Sequence, residues 1–484
     1  MLRLRRLLPT LLGCALVGAC LAAAPALASH SEVTYFEGST DLLQASSRPH
    51  AIAQLRHEGV HALRIELYWA DVAPGAALAT RPNFDATNPA NYAWGEYDAL
   101  IAEAQRLHWQ VLLTVTSPVP RWATSNHKAP YVTRPDDKDF QEFMTAVGRH
   151  YASEVSVFSI WNEPNHPLYL QPQWNANGTP ASPRIYRGLY QAGYAGLQAA
   201  GIANPTVLFG ETAPTGYDSV KRLLRSEHSK ALLHDVAPLE FLREALCLNA
   251  RYKKASSCGP LSISGYAHHA YTLPAGPYYV PPERDDITIG SLSRLSSALD
   301  RAASAHAIPA HVPIYLTEFG VQSKPNKQLG VPVAQQAEFD AIAEHIAYNN
   351  SRVAAFSQYL LKDDPLGGAP GSSVHGGTVG FQTGLEFVSG AAKPLYAGWP
   401  VPLTVTKHGG GYSLWGLVRP ATGATTLTVL VRLKGSSHYR TLSTVTTNSL
   451  GYWSLSSATR GQYWRVRWTS PEGARYEGPP IKAS

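Results

Sequence analysis

Cysteine is scarce in this chain. Four are present in 484 residues, and Cys14 and Cys20 fall within the first 28. Only Cys247 and Cys258 remain, with no metal-ligand spacing around them, so a cysteine-built metal centre is excluded. Charge is also sparse, with 16% Asp, Glu, Lys and Arg against 44% hydrophobic residues. That balance describes a globular protein and excludes a disordered one. Long apolar runs are missing beyond the N-terminal segment, which excludes a helical membrane span. No glycine-rich fingerprint follows the first strand-like run, which argues against an open dinucleotide-binding sheet. One metal motif is present only in letters. His57-Glu58-Gly59-Val60-His61 has the H-E-x-x-H spacing, but Gly59 interrupts the helix that would align the two histidines. The sequence calls for no metal and no cofactor.

What is there begins with a leader. Arg3, Arg5 and Arg6 precede an apolar stretch from Leu7 to Leu21, and Ala26-Leu27-Ala28 fits the small-x-small rule for cleavage. Residues 1–28 are expected to be a signal peptide, which implies secretion to the extracellular side. Val17-Gly18-Ala19-Cys20 loosely follows a lipobox, so a lipid-anchored form through Cys20 stays open. The formal net charge is +6, and +3 without the three leader arginines, which does not suggest a nucleic-acid partner. In an exported chain, Cys247 and Cys258 are expected to form a disulfide closing a short loop.

From Val33 to Trp399, strand-like and amphipathic runs alternate. Eight strands are expected at Thr34–Phe36, Ala62–Tyr68, Val111–Thr116, Val157–Trp161, Thr206–Gly210, Ile263–His269, Ile314–Thr317 and Val353–Leu360. Helical periodicity is clearest at Pro49–His57, Tyr97–Leu107, Asp137–Tyr151, Pro183–Ala200, Ser291–Ala305 and Ala334–Tyr348. Eight repeats in one run predict an α/β fold, a closed (β/α)8 TIM barrel over residues 33–399. After Trp399-Pro400-Val401-Pro402 the helical period stops. Residues 403–484 read as a small C-terminal antiparallel β-sandwich, an accessory domain that binds carbohydrate or braces the barrel.

Chemistry in such a barrel sits at the C-terminal strand ends. Glu163 closes the fourth strand in Trp161-Asn162-Glu163-Pro164-Asn165, where Pro164 stops pairing. Glu318 closes the seventh in Thr317-Glu318-Phe319-Gly320. Two carboxylates at opposing strand ends suit glycoside cleavage, one donating a proton and one attacking the anomeric carbon.

These two motifs, with Arg64-Ile65-Glu66-Leu67-Tyr68-Trp69, Pro120-Arg121-Trp122 and Lys393-Pro394-Leu395, resemble glycoside hydrolase clan A, in the pattern of families 5 and 39 (cellulase-like and β-xylosidase-like barrels). The resemblance covers residues 33–399. It implies that Glu163 is the acid/base, that Glu318 is the nucleophile, and that the anomeric configuration is retained. It also implies that Arg64 steadies the nucleophile, and His269 and Tyr271 resemble the family's His-x-Tyr. Asn162 is expected at the sugar's 2-hydroxyl, and Trp122 and Tyr359 as stacking platforms. The family's tryptophan at the eighth strand is here Phe356-Ser357-Gln358-Tyr359. Glu37 and Glu211 end the first and fifth strands and are further candidates for sugar contact. The loops Leu273–Gly290 and Lys362–Gly384 are expected to edge the active face.

The expected function is a secreted retaining hydrolase of β-linked oligo- or polysaccharides, with carbohydrate as its partner. A non-catalytic carbohydrate-binding barrel and a transglycosylase on the same site are the alternatives. Sugar identity, endo or exo action and oligomeric state stay open.

Overall fold

The computed structural model describes residues 32–37, 39–365 and 380–484. Residues 1–31, with Cys14 and Cys20, and the middle of the loop Lys362–Gly384 lie outside the described residues. Eight parallel strands close a barrel in sequence order. They are β1 Val33–Glu37, β2 Ala62–Tyr68, β3 Gln110–Thr116, β4 Val157–Ile160, β5 Val207–Thr212, β6 Gly265–His269, β7 Ile314–Glu318 and β8 Val353–Tyr359. β1 pairs with β8 from Val33 against Ala355 to Glu37 against Tyr359, which seals the ring.

Alternation along each strand decides what fills the ring. Tyr35, Ala62, Leu112, Val157, Leu208, Ala267 and Ala355, one from each of seven strands, form one buried apolar cluster. Two residues further along, the same face carries Glu37, Arg64, Thr114 and His269. An apolar floor thus lies under a polar layer at the C-terminal ends. Outside, helices pack apolar stripes on the strands. Asp137–Tyr151 starts at Asp136, whose side chain accepts from Asp139 N, and buries Phe140, Phe143, Met144 and Val147.

The sandwich follows directly. β9 Leu403–His408, β10 Gly411–Leu417 and β13 Tyr452–Ser457 form an antiparallel sheet in the order β13-β10-β9. β11 Thr426–Leu433, β12 Arg440–Thr446, β14 Gly461–Thr469 and β15 Arg475–Glu477 form the other, in the order β12-β11-β14-β15. Val405, Leu414, Val429, Trp464, Val466 and Trp468 fill the space between them. At the junction with the barrel, Arg419 lies 3.8 Å over the Trp399 ring and places Nη2 2.9 Å from both oxygens of Glu344. His57 stacks on Tyr476 there, and Gly59, at φ +79°, lies where a Cβ would strike Arg419 and Pro420. The H-E-x-x-H letters therefore straddle the end of the helix Arg48–His57 at an inter-domain contact.

Candidate active site

Arg64 is the centre of the polar layer. Its side chain has no exposure. Nη1 donates to Glu37 and to Glu318 Oε1 at 2.8 Å; Nη2 donates to Asn162 Oδ1 at 2.9 Å and Glu211 Oε2 at 2.7 Å, and lies 3.6 Å from Glu66. Five strand ends are thereby tied to one guanidinium, whose planar fork can serve several acceptors at once.

Backbone geometry aims the carboxylates. Past the end of β4 the chain turns through left-handed conformations at Trp161 (φ +74°) and Glu163 (φ +37°). Conformations of this kind cost roughly 1–3 kcal/mol each and persist where neighbours enforce them. Here Trp161 Nε1 donates to Tyr169 O at 2.9 Å, and Glu163 N donates to Glu211 O at 3.0 Å. Asn162 is thus sent inward to Arg64 while Glu163 is turned to the opening. Glu211 has φ +47° at a register shift between Gly210 and Thr212.

Glu318 Oε2 accepts from Tyr271 OH at 3.0 Å and lies 3.4 Å from His269 Nδ1. The same His269 nitrogen is 2.9 Å from Glu163 Oε1. One oxygen of Glu163, one of Glu318 and a His269 ring nitrogen all lie within 4.8 Å of one another. Burial pushes Glu318 up to about 7, against the charges of His269 and Arg64. Burial also pushes Glu163 up, but the hydrogen bond and charge of His269 outweigh it and hold that carboxyl below its usual range. Burial pulls His269 down, yet the charge of Glu318 and the bond to Glu163 leave it raised. Glu37 is held well above the carboxylate range, by burial first. Relative to the free groups, these directions favour the protonated form of His269 and the ionised form of Glu163. Glu163, His269 and Glu318 have the donor types for a cation, as do Glu37, Glu66 and Glu318. In the second set the Arg64 guanidinium already supplies the positive charge.

The expected residues divide by depth. Glu163 and Glu318 keep 15% and 8% side-chain exposure, whereas Glu37 and Glu211 keep none. Glu37 and Glu211, expected at the sugar, thus lie deeper than the two carboxylates. Both sit beneath the opening as partners of Arg64, and Glu211 also accepts from Thr114 at 2.9 Å. Trp122, expected as a stacking platform, packs edge-on against Trp69 and Phe84 and keeps 7% exposure. Tyr359 is half-buried with its ring against Phe381, near enough for the charge of Glu318 to act on it. Cys247 and Cys258 are joined, with Cα atoms 6.0 Å apart.

Two residues were missed. Glu66 keeps 7% exposure and accepts from Tyr68 OH. The signal was its place two residues past Arg64, on the same face of β2. Tyr169 is pushed well up by burial and then by the charge of Glu163, and nothing in its loop sequence marks it. Beside this centre, a cleft of about 830 Å³ runs between the loops after β5 and β6, lined by Tyr217, Asp235 and Asp286 among others. Asp235 lies 3.7 Å from His166, three residues past Glu163, which joins the cleft to the carboxylates.

No family model matches the chain, and no curated protein does. Among solved structures it is similar to a monomeric β-xylosidase from Caulobacter crescentus, at 14% identity and TM-score 0.49, over 95% of each chain. It is also similar to a glucosidase from Croceicoccus marinus, at 11% identity and TM-score 0.49, over 90% of this chain and 94% of that one. A third is Bacteroides uniformis β-glucuronidase 2, at 9% identity and TM-score 0.44. The match there takes in 95% of this chain and 46% of the other, so the chain spans about half the length of that relative. At these identities and scores the likenesses assign no role to any residue here.

Proposed function

We propose that the protein is an exported retaining glycoside hydrolase acting on β-linked sugars, with Glu163 as acid/base and Glu318 as nucleophile. The observation that carries this reading is the approach of the two carboxylates, with an oxygen of each within 4.8 Å of the other. Retention by direct attack needs roughly 5–5.5 Å between the carboxyl groups, and inversion needs roughly 6.5–9.5 Å to seat a water. Export rests on residues 1–28 alone.

In the first step a Glu318 oxygen forms a bond to the anomeric carbon as the bond to the leaving oxygen breaks. Glu163 gives that oxygen its proton. In the second, Glu163 takes a proton from water, the water oxygen attacks the same carbon, and Glu318 leaves as carboxylate. The two shifts favour the proton on His269 over Glu163, which is the reverse of what an acid needs. The 2.9 Å bond between them resolves this: passing the proton from Nδ1 to Oε1 leaves a neutral imidazole and a ready acid. Arg64 and Tyr271 meanwhile favour the ionised form of Glu318.

Glu163→Ala tests both roles. It is expected to lose roughly 10²–10⁴-fold on natural sugars, whose leaving groups need a proton. Dinitrophenyl glycosides are expected to give a burst and then a slow phase that azide accelerates, yielding a glycosyl azide of retained configuration. Equal slowing on both substrate types with no response to azide would remove Glu163 from the mechanism.

A further inference from the structure

The modest overall charge hides an uneven distribution. Residues 403–484 hold ten Lys or Arg and two Glu, whereas residues 1–402 hold 31 Lys or Arg and 33 Asp or Glu. The sandwich is thus strongly cationic beside a slightly acidic remainder. Part of that charge is organised on one face of the four-stranded sheet. Arg432 on β11 pairs with Tyr463 on β14, and Arg465 lies two residues further on the same face; the alternate residues Trp464 and Val466 point into the core. Lys482 Nζ is 5.4 Å from the Tyr463 ring centre, and the Arg432 guanidinium lies 4.3 Å from it and 5.7 Å from that of Tyr439. Arg465 lies 5.0 Å from the Tyr439 ring centre. Cations and tyrosines therefore alternate along the face.

We propose that this face is a docking surface for acidic, uronate-bearing polysaccharide. Arg432 makes no hydrogen bond or ion pair among the described residues, and its Nε is buried without a partner. Stacking on Tyr463 holds its plane while leaving the guanidinium edge to donate to a carboxylate in the bidentate manner. Of the two acids in this region, Glu477 neutralises only Arg465 and Arg467. Tyrosine rims between fixed cations suit a polymer that alternates sugar faces with carboxylates. Single-stranded nucleic acid uses a similar cation and aromatic pattern. The choice of polysaccharide rests on the glycosidase reading of the barrel.

The full chain is titrated with polygalacturonate, with fully methyl-esterified polygalacturonate and with poly(dT), at two salt concentrations. Polygalacturonate is expected to bind at least tenfold more tightly than the ester and than poly(dT), and more weakly as salt rises. Arg432→Gln and Tyr463→Ala are each expected to weaken it at least fivefold, while melting temperature and dinitrophenyl glycoside turnover stay unchanged. If one variant fails to fold, the other decides. Equal binding to the ester, no effect of the variants, or tighter binding to poly(dT) would overturn the proposal. A wild type that binds polygalacturonate but turns over no glycoside would sink the hydrolase reading and leave the docking surface standing as a polyuronate site.

Discussion

Tyr271 donates to the Glu318 oxygen that also faces His269. That hydrogen bond is made to the charged carboxylate, so it lowers the pH at which Glu318 ionises. Glu318 must be ionised to attack, and burial has moved it up to about 7. The acid limb of kcat/KM for the wild type is therefore expected near neutrality, with activity rising as Glu318 loses its proton. Tyr271→Phe removes the donor, raises the Glu318 value further and moves the acid limb to higher pH. A pH profile on dinitrophenyl glycosides reads this directly, because their departure needs no proton. An unmoved limb would mean that another group controls it. The same profile on poor leaving groups is expected to fall on the alkaline side, as the proton shared by His269 and Glu163 is lost.

At the scale of elements, period and punctuation carried most of the architecture. The helix Asp137–Tyr151 has the expected bounds, because Asp136 caps it and its apolar stripe is unbroken. β2 matches too, since every residue from Ala62 to Tyr68 is buried by its two neighbours. β6 begins at Gly265 rather than at Ile263, because Ser264 bonds through its side chain to Val207 N and starts the strand late. The short helix Pro238–Ala245 was not foreseen, being too brief to show a period. Depth was the larger omission. Strand ends were legible, but the left-handed turn at Glu211 depends on the β5–β6 register shift, which belongs to two strands and not to one sequence window. The disulfide follows Pro238–Ala245 and spans 11 residues. By the loop-entropy argument, Cys247→Ser with Cys258→Ser is expected to cost about 2–3 kcal/mol. The loop lies on the outside of the ring, so turnover at low temperature should be unchanged while the melting temperature falls. A loss of turnover without a loss of stability would tie the loop to the site.

Across the whole molecule, the sandwich packs on the barrel through aromatic contacts such as His57 on Tyr476 and around a buried charge. Arg419 reaches from the sandwich to Glu344 on the helix Val333–Tyr348, stacks on Trp399 and donates to Thr34 on β1. Glu344 is buried and raised by burial; Asp340 and Glu58, also buried, are pushed up to about 8 by burial first, with Arg419 opposing all three, and Glu32 is raised well above its usual range beside them. Arg419 is thus the cation for several acids that water does not reach. Removing one partner of a buried pair typically costs about 3–5 kcal/mol, whereas replacing both with neutral groups of similar size is often nearly neutral. Arg419→Met alone should therefore destabilise strongly, and Arg419→Met with Glu344→Gln should recover most of the loss. The pH dependence separates this from simple packing. Without Arg419 the folded-state value of Glu344 lies further above its ordinary 4.5. Between those two values the folded chain holds a proton that the unfolded chain has released, so stability falls as pH rises across that window. The gap in melting temperature between wild type and Arg419→Met is expected to be small near pH 5 and to widen toward pH 8. The double variant should show little of that widening. A gap independent of pH would mean that Arg419 acts through its contact with Trp399 and not through its charge.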